Sequence, residues 1–352
     1  MRLMIVGFGV VGRSTIKVLT EQKESLRKRY GLNPKIVAIV DINGALVNSR
    51  GISNEEAIKA VKLGCNKFSR FGNLWRPDVG VDDLLPEIEC EAMIETTPTN
   101  LKTGQPGLNH LRSAMKNGVH VVTTNKGPLA LAMPALVELA EHNRISFKFS
   151  GTVGGGTPML DLAKKSMDGL EIQSIRGILN GTTNFILSKM DAEGISFDSA
   201  LREARKKGYA ETDPTYDIDA LDPAAKLVIL ANWVMGKSLS IKDVSITGIR
   251  GVSQRQINEA KAGGKTMKLI AYCGADAIEV APSPIPREHP LNVSGTTNAL
   301  TFNTDLAGEI TIVGKGAGGP ETASAVLRDL IDIRKTYAKQ AARASAAWPR
   351  RT

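Results

Sequence analysis

The segment Leu3-Met4-Ile5-Val6-Gly7-Phe8-Gly9-Val10-Val11-Gly12-Arg13-Ser14 runs an apolar stretch into glycines spaced Gly-x-Gly-x-x-Gly, then into a helix-like region. The spacing has a steric purpose. The first glycine makes a tight turn, the second lets the backbone approach a pyrophosphate, and the third lets helix and strand pack closely. The helix start then offers free N–H groups and the positive end of its dipole to the phosphates. A dinucleotide site is therefore expected at Gly7, Phe8, Gly9, Val10, Val11 and Gly12, with a helix from Ser14 to Arg29. A second strand, Lys35 to Val40, ends in Asp41, where a carboxylate would meet the ribose hydroxyls of NAD. Asp41 also reads as a plain turn residue before Asn43-Gly44.

Strand-like and helix-like segments keep alternating to about residue 145: a strand Ala92–Glu95, a helix around Leu108–Asn117, a strand His120–Val122 and a helix over Pro134–His142. That rhythm predicts an α/β fold with a parallel sheet covered on both faces. Such sheets place ligands at the C-terminal ends of their strands, where Asp41, Thr96, Thr97 and Lys126 fall. The texture then changes to Ser150-Gly151-Thr152-Val153-Gly154-Gly155-Gly156-Thr157-Pro158. This run reads as a flexible linker or, given its Thr, Val and Pro, as backbone shaped around a ligand. Strands expected at Ser174–Leu179, Ile241–Ile249, Met267–Tyr272 and Ala277–Pro282 make a second, α+β domain. Residues Glu309–Pro320 and a helix from Glu321 are expected to return to the first domain. The resulting division is 1–148, 149–305, a return segment 306–340 and a basic tail 341–352.

Between Glu211 and Lys226 the chain places Glu211, Asp213, Asp217, Asp219, Asp222 and a lysine within sixteen residues. Carboxylates this close repel one another unless a cation sits among them. Asp222 and Lys226 share a face if Ala224–Leu230 is helical. They read as a surface salt bridge at a helix start, with Asp222 as N-cap and Pro223 as first residue, or as working groups of a site.

Composition narrows the function classes. Three scattered cysteines imply no disulfide framework, so a reducing cytoplasm fits best. Four histidines without ligand spacing argue against a zinc or iron site. No apolar run of about 18 residues suggests a membrane span, and the N-terminus leads into a strand instead of an export signal. The net charge of +9 sits largely in Lys23–Arg29 and Arg328–Arg351, without aromatic interleaving or a nucleic-acid motif. Neither nucleic acid nor membrane is an expected partner. Residues 341–352 read as a solvated helix that frays at its end.

Taken together, these motifs resemble the homoserine dehydrogenases over nearly the whole chain. The resemblance rests on Gly7, Gly9 and Gly12, on Val121–Lys126, and on Thr152–Pro158. It extends to Leu179-Asn180-Gly181-Thr182-Thr183-Asn184, the acidic segment ending in Lys226, and Gly314–Gly318. It implies an N-terminal Rossmann-type parallel sheet followed by an α+β domain for catalysis and dimerisation. The implied chemistry is interconversion of L-aspartate 4-semialdehyde and L-homoserine with NAD or NADP, on the way to threonine, methionine and isoleucine. Lys226 and Lys126 would handle the proton at the substrate oxygen, and Asp222 would bind substrate and orient Lys226. Glu211 and Asp217 would hold the substrate ammonium, with Gly181 and Thr182 beside it. Lys67, Thr96, Thr97 and Gly316 would join the coenzyme site, and a homodimer is implied. The chain ends soon after the return segment, so no regulatory domain is expected. Hydride transfer to an aldehyde leaves an alkoxide that must be protonated or held as it forms, and an ammonium group does both.

Three residues depart from the family pattern. Family members often carry a glutamate where this chain has Ser150, and it helps bind a monovalent cation such as Na+. Here the carbonyls of Val153, Gly155 and Thr157 would remain for it. Ala220 replaces a glycine, and Ile42 stands where some NADP-using relatives have arginine. Asp41 and Ile42 lean the coenzyme choice toward NAD.

Overall fold

The computed structural model describes residues 1–346, with side chains through Tyr337. In chain order the first region holds β1 (Arg2–Val6), α1 (Val10–Glu21), α2 (Lys23–Tyr30), β2 (Lys35–Asp41), β3 (Gly44–Val47), α3 (Asn54–Leu63), β4 (Trp75–Pro77), α4 (Val81–Leu84), β5 (Ala92–Glu95), α5 (Gly107–Lys116), β6 (His120–Thr123), α6 (Lys126–His142) and β7 (Phe147–Lys148). The strands form one sheet in the order β4-β3-β2-β1-β5-β6-β7. β1 shows why it must be covered twice. Leu3 and Ile5 face a core with Ile16 and Leu19 of α1, while Met4 and Val6 face one with Leu111, Met115 and Leu136. Helices on both faces are what a parallel sheet of this composition requires.

The second region holds α7 (Met159–Ser166), β8 (Ile172–Ile178), α8 (Gly181–Glu193), α9 (Phe197–Lys206), α10 (Thr215–Ile218), α11 (Leu221–Met235), β9 (Ser245–Ile246), α12 (Gln254–Ala262), β10 (Lys265–Cys273), β11 (Ile278–Pro286), β12 (Thr297–Thr304), β13 (Gly308–Lys315) and α13 (Gly319–Ala346). Its sheet runs β13-β12-β8-β10-β11-β9. All its pairings are antiparallel except that of β11 with β9. The largest apolar core lies between this sheet and its helices. α13 then returns to the first region, where Val326, Leu330 and Ile333 join the core beside α1.

Several expectations are corrected. The first helix breaks at Gln22 and continues as α2, which Gly31 ends in the left-handed conformation. The first sheet is mixed, because β2 and β3 form a tight antiparallel hairpin in which Asp41 pairs with Gly44. The helix expected from Pro134 starts eight residues earlier at Lys126 and kinks at Ala132. Only Ser245–Ile246 of the span 241–249 is strand. The unforeseen strand β12 captures Gly308–Lys315 as its hairpin partner, so this stretch belongs to the second sheet and α13 alone makes the return. α13 includes residues 341–346; residues 347–352 lie outside the described part. No described helix is long and apolar enough to cross a membrane.

Candidate active site

Gly7 sits at φ +93, and a Cβ there would lie 2.7 Å from the Thr96 carbonyl carbon. A Cβ on Gly12 would lie 2.0 Å from the Gly7 oxygen. These contacts leave room only for hydrogen. Gly9 is different: nothing of the protein lies within 4 Å of a Cβ placed there. Its bareness is therefore space for something else, which fits the pyrophosphate of a dinucleotide. α1 starts at Val10 with no side-chain cap, so its first N–H groups are available to phosphate. The Thr96 hydroxyl donates toward the Val6 and Gly7 carbonyls (3.0 and 2.8 Å), tying the end of β5 to the turn.

The Asp41 carboxylate accepts from the Phe8 and Ile42 amides, each at 2.8 Å. The same residue thus serves the hairpin and the glycine turn. Ile42 is 92% exposed next to it. The buried Phe8 ring meets Phe68 edge-on at 4.9 Å, so exposed Lys67 is carried beside the turn.

Five carboxylates crowd the acidic sequence, and the fold separates them. Asp213 binds Thr215, and Asp219 pairs with Arg250 at 2.5 Å on the outside. Glu211 is exposed. Asp217 and Asp222 turn inward and meet on Asn180, whose amide donates to both (2.7 and 3.0 Å). The cations the cluster needs come from the protein itself. Lys226 Nζ lies 2.7 Å from Asp222 Oδ2 and donates also to the Leu179 carbonyl at 2.7 Å. Lys126 Nζ approaches Asp222 Oδ1 at 3.5 Å from the first region. Lys226 is only 7% exposed, which rules out a solvated surface salt bridge.

Burial works to raise Asp222, but the ammonium groups of Lys226 and Lys126 and the bonds from Lys226 and Asn180 outweigh it, holding the carboxyl well below its usual range. Asp217 moves upward, through burial and then through the charge of Asp222. Asp222 is not the N-cap expected. Ala220 caps the helix at φ +63, and Asp222 lies in the first turn of α11, where the helix dipole favours its charge. Thr182 donates to the Tyr209 carbonyl at 2.8 Å, which ties the start of α8 to the acidic loop.

The segment 150–157 is shaped backbone and not a linker. A Cβ on Gly155 would lie 2.8 Å from Gly316, and Thr157 Oγ1 donates to the Lys315 carbonyl at 3.2 Å. Ser150 gives its N–H and hydroxyl to Asp329 (3.0 and 2.6 Å), and the Thr157 carbonyl accepts from the Met159 amide at 2.8 Å. The segment 150–158 itself carries no carboxylate to join the carbonyls of Val153, Gly155 and Thr157 around a cation. Among the described residues no three His, Cys, Asp or Glu side chains cluster as metal ligands.

The sequence alone did not single out Asn180 as the pivot of the cluster, nor Asn125 as the cap that starts α6 at Lys126. An asparagine three residues before the amide it caps (Thr183) was the available signal for Asn180.

Residues 158–331 match the family model described as homoserine dehydrogenase. The chain is 46% identical over 333 residues to the homoserine dehydrogenase of Methanocaldococcus jannaschii, covering 95% of this chain and 98% of that one. It is 37% identical over 351 residues to the NAD(+)-dependent homoserine dehydrogenase of Pseudomonas canavaninivorans, covering 96% and 97%. Among solved structures, a hyperthermophilic archaeal homoserine dehydrogenase in complex with NADPH superposes with a TM-score of 0.81 at 28% identity, covering 95% of this chain and 98% of that one. That of Thiobacillus denitrificans gives 0.81 at 30%, covering 96% and 74%. A glycine turn shaped for a dinucleotide, two lysines converging on one carboxylate, and near full-length similarity agree: the chain belongs to the homoserine dehydrogenase family of NAD(P)-dependent oxidoreductases acting on a CH–OH group.

Proposed function

We propose that the chain interconverts L-aspartate 4-semialdehyde and L-homoserine, as a cytoplasmic homodimer serving threonine, methionine and isoleucine synthesis. The supporting observation is the bridge Lys126–Asp222–Lys226, which spans the two regions with contacts of 3.5 and 2.7 Å. The turn Gly7–Gly12, Asp41, Lys67, Thr96, Thr97 and Gly316 would hold NAD(P)H, which when bound would supply the hydride. Lys226 and Lys126 hold and protonate the substrate oxygen as it becomes negative, and accept that proton in the reverse direction. Asp222 keeps both ammonium groups aimed at this point. Asp217 and Glu211 hold the substrate ammonium, with Gly181 and Thr182 alongside.

For the coenzyme, Asp41 favours NAD, because its carboxylate suits ribose hydroxyls and repels a 2′-phosphate. Ile42 brings no cation to offset that repulsion. Steady-state rates with aspartate semialdehyde, other aldehydes and keto acids, using NADH and NADPH, test both parts. Turnover of aspartate semialdehyde no faster than of the other carbonyl compounds would overturn the substrate. A strong NADPH preference would overturn the reading of Asp41. Ile42→Arg should improve kcat/KM for NADPH about tenfold, since a forked cation suits a phosphate.

A further inference from the structure

Glu95 ends β5 and is 0% exposed. A carboxylate so deeply placed must exchange water for protein donors, and the donors it takes come from two different loops. The Thr97 amide donates to Oε1 at 3.0 Å, and the Thr97 hydroxyl donates to the same oxygen. The Thr123 hydroxyl donates to Oε2 at 3.0 Å. Both hydroxyls, with their protons committed, then accept from Asn125: Thr123 Oγ1 from its amide at 3.0 Å, and Thr97 Oγ1 from its side chain at 3.2 Å. Asn125 in turn accepts from the Gly127 amide at 3.0 Å, which fixes the first turn of α6 and so Lys126. Its side chain has little room to swing, because a Cβ on Gly107 would lie 2.6 Å from Nδ2. His110 Nδ1 approaches the same Oε1 at 3.7 Å.

We propose that Glu95 is the positioning residue that sets the coenzyme-side Thr97 and the catalytic Lys126 in register through one buried hydrogen-bond tree. The proposal rests on the roles given to Thr97 and Lys126 under Proposed function. A carboxylate offers only acceptors, so it dictates the direction of every bond outward to Asn125. Glutamine has nearly the same shape but turns an N–H₂ toward one threonine. That hydroxyl proton then has no acceptor, and the tree loses its single direction.

The test compares Glu95→Gln, Lys126→Ala and the double variant, reading kcat, both KM values and Tm. Glu95→Gln should lower kcat about tenfold or more and raise the coenzyme KM several-fold, while the homoserine KM stays within about twofold. In the Lys126→Ala background the same change should remove no further kcat beyond about twofold, because both act through one ammonium group. Losses that multiply, or a homoserine KM that rises with the rest, would overturn the proposal. So would a normal Glu95→Gln enzyme beside a crippled Lys126→Ala. Normal turnover in Lys126→Ala would overturn the catalytic reading of Lys126 itself and this proposal with it. Should Glu95→Gln not fold, Thr123→Val cuts one branch of the tree. It should lower kcat in the parent but not in Lys126→Ala, leaving the coenzyme KM unchanged; any other pattern overturns the proposal.

Discussion

Gly7, Gly9 and Gly12 shape their turn without side chains, whereas Asn180, Asp217, Asp222 and Lys226 shape theirs almost entirely with them. In the turn, neighbours at 2.0 and 2.7 Å forbid a Cβ on Gly12 and Gly7, and free space allows a ligand at Gly9. In the acidic cluster two carboxylates and an ammonium group are held by one amide, one carbonyl and one another. The first design depends mainly on backbone geometry, tied from outside by the Asp41 carboxylate and the Thr96 hydroxyl. The second depends on charge balance, where each member compensates another, so one removal disturbs all of them. Apart from Asp41, the coenzyme end should therefore tolerate changes in charge that cripple the substrate end.

Lys226→Ala should give the largest effect. Proton transfer contributes about 10²–10⁴-fold, so kcat should fall by that order while coenzyme affinity, measured by fluorescence titration, stays within about twofold. A matching loss of coenzyme affinity would break the separation between the two ends.

The separation has one exception, and it sharpens the contrast. Beneath the second glycine segment, Asp329 is 2% exposed and bound by Ser150. Burial pushes its carboxyl up to about 7, with Asp161 adding to the rise and the Ser150 bonds and Lys148 opposing it. The folded chain then holds a proton that the unfolded chain has released. Asp329 contributes its full stability below about pH 4 and loses it as pH rises through about 7, at about 1.36 kcal/mol per pH unit. Asp329→Asn should remove this slope. Urea midpoints between pH 5 and 8 should fall in the parent relative to the variant; parallel curves would show that Asp329 keeps an ordinary carboxyl.

Asp217→Asn tests the substrate end more gently. The amide can still accept from Asn180 but has no charge for a substrate ammonium. Losing a charge-assisted bond should raise the homoserine KM about 10–100-fold with a smaller change in kcat. A drop in Tm with KM unchanged would make Asp217 structural.

The two ends also differ in how far they were legible. Gly-x-Gly-x-x-Gly could be read from spacing, because strand, turn and helix are consecutive in the chain. The acidic segment announced only a charge problem. Its solution uses Lys126, 96 residues before the Asp222 it meets, and the Leu179 carbonyl. No local pattern says which of five carboxylates turn inward. The strand β12, Thr-Asn-Ala-Leu-Thr-Phe-Asn-Thr, is not legible in the sequence because its polar residues mask the alternation; pairing on both sides, with β8 and β13, makes it a strand. The start of α6 was hidden by Gly127-Pro128 directly after Lys126, yet proline is tolerated in a first turn because no intrahelical bond needs its N–H.

The smallest effect expected lies at the join between charge and backbone. Pro223 invited the reading of Asp222 as a cap, but the chain turns into α11 at Ala220, buried and at φ +63. An L-residue with a Cβ in that region is strained by about 1–2 kcal/mol, and glycine is not. Glycine also gives the unfolded chain more freedom, which returns about 0.4–1 kcal/mol of that gain. Ala220→Gly should thus stabilise the protein by up to about 1.5 kcal/mol, a rise of a few degrees at most in Tm. Turnover should not move, because Asp222 is held by Lys226, Lys126 and Asn180 and not by the cap. If Ala220→Gly changed kcat as well, the backbone turn would be aiming the carboxylate. The acidic end would then depend on local geometry as the glycine end does.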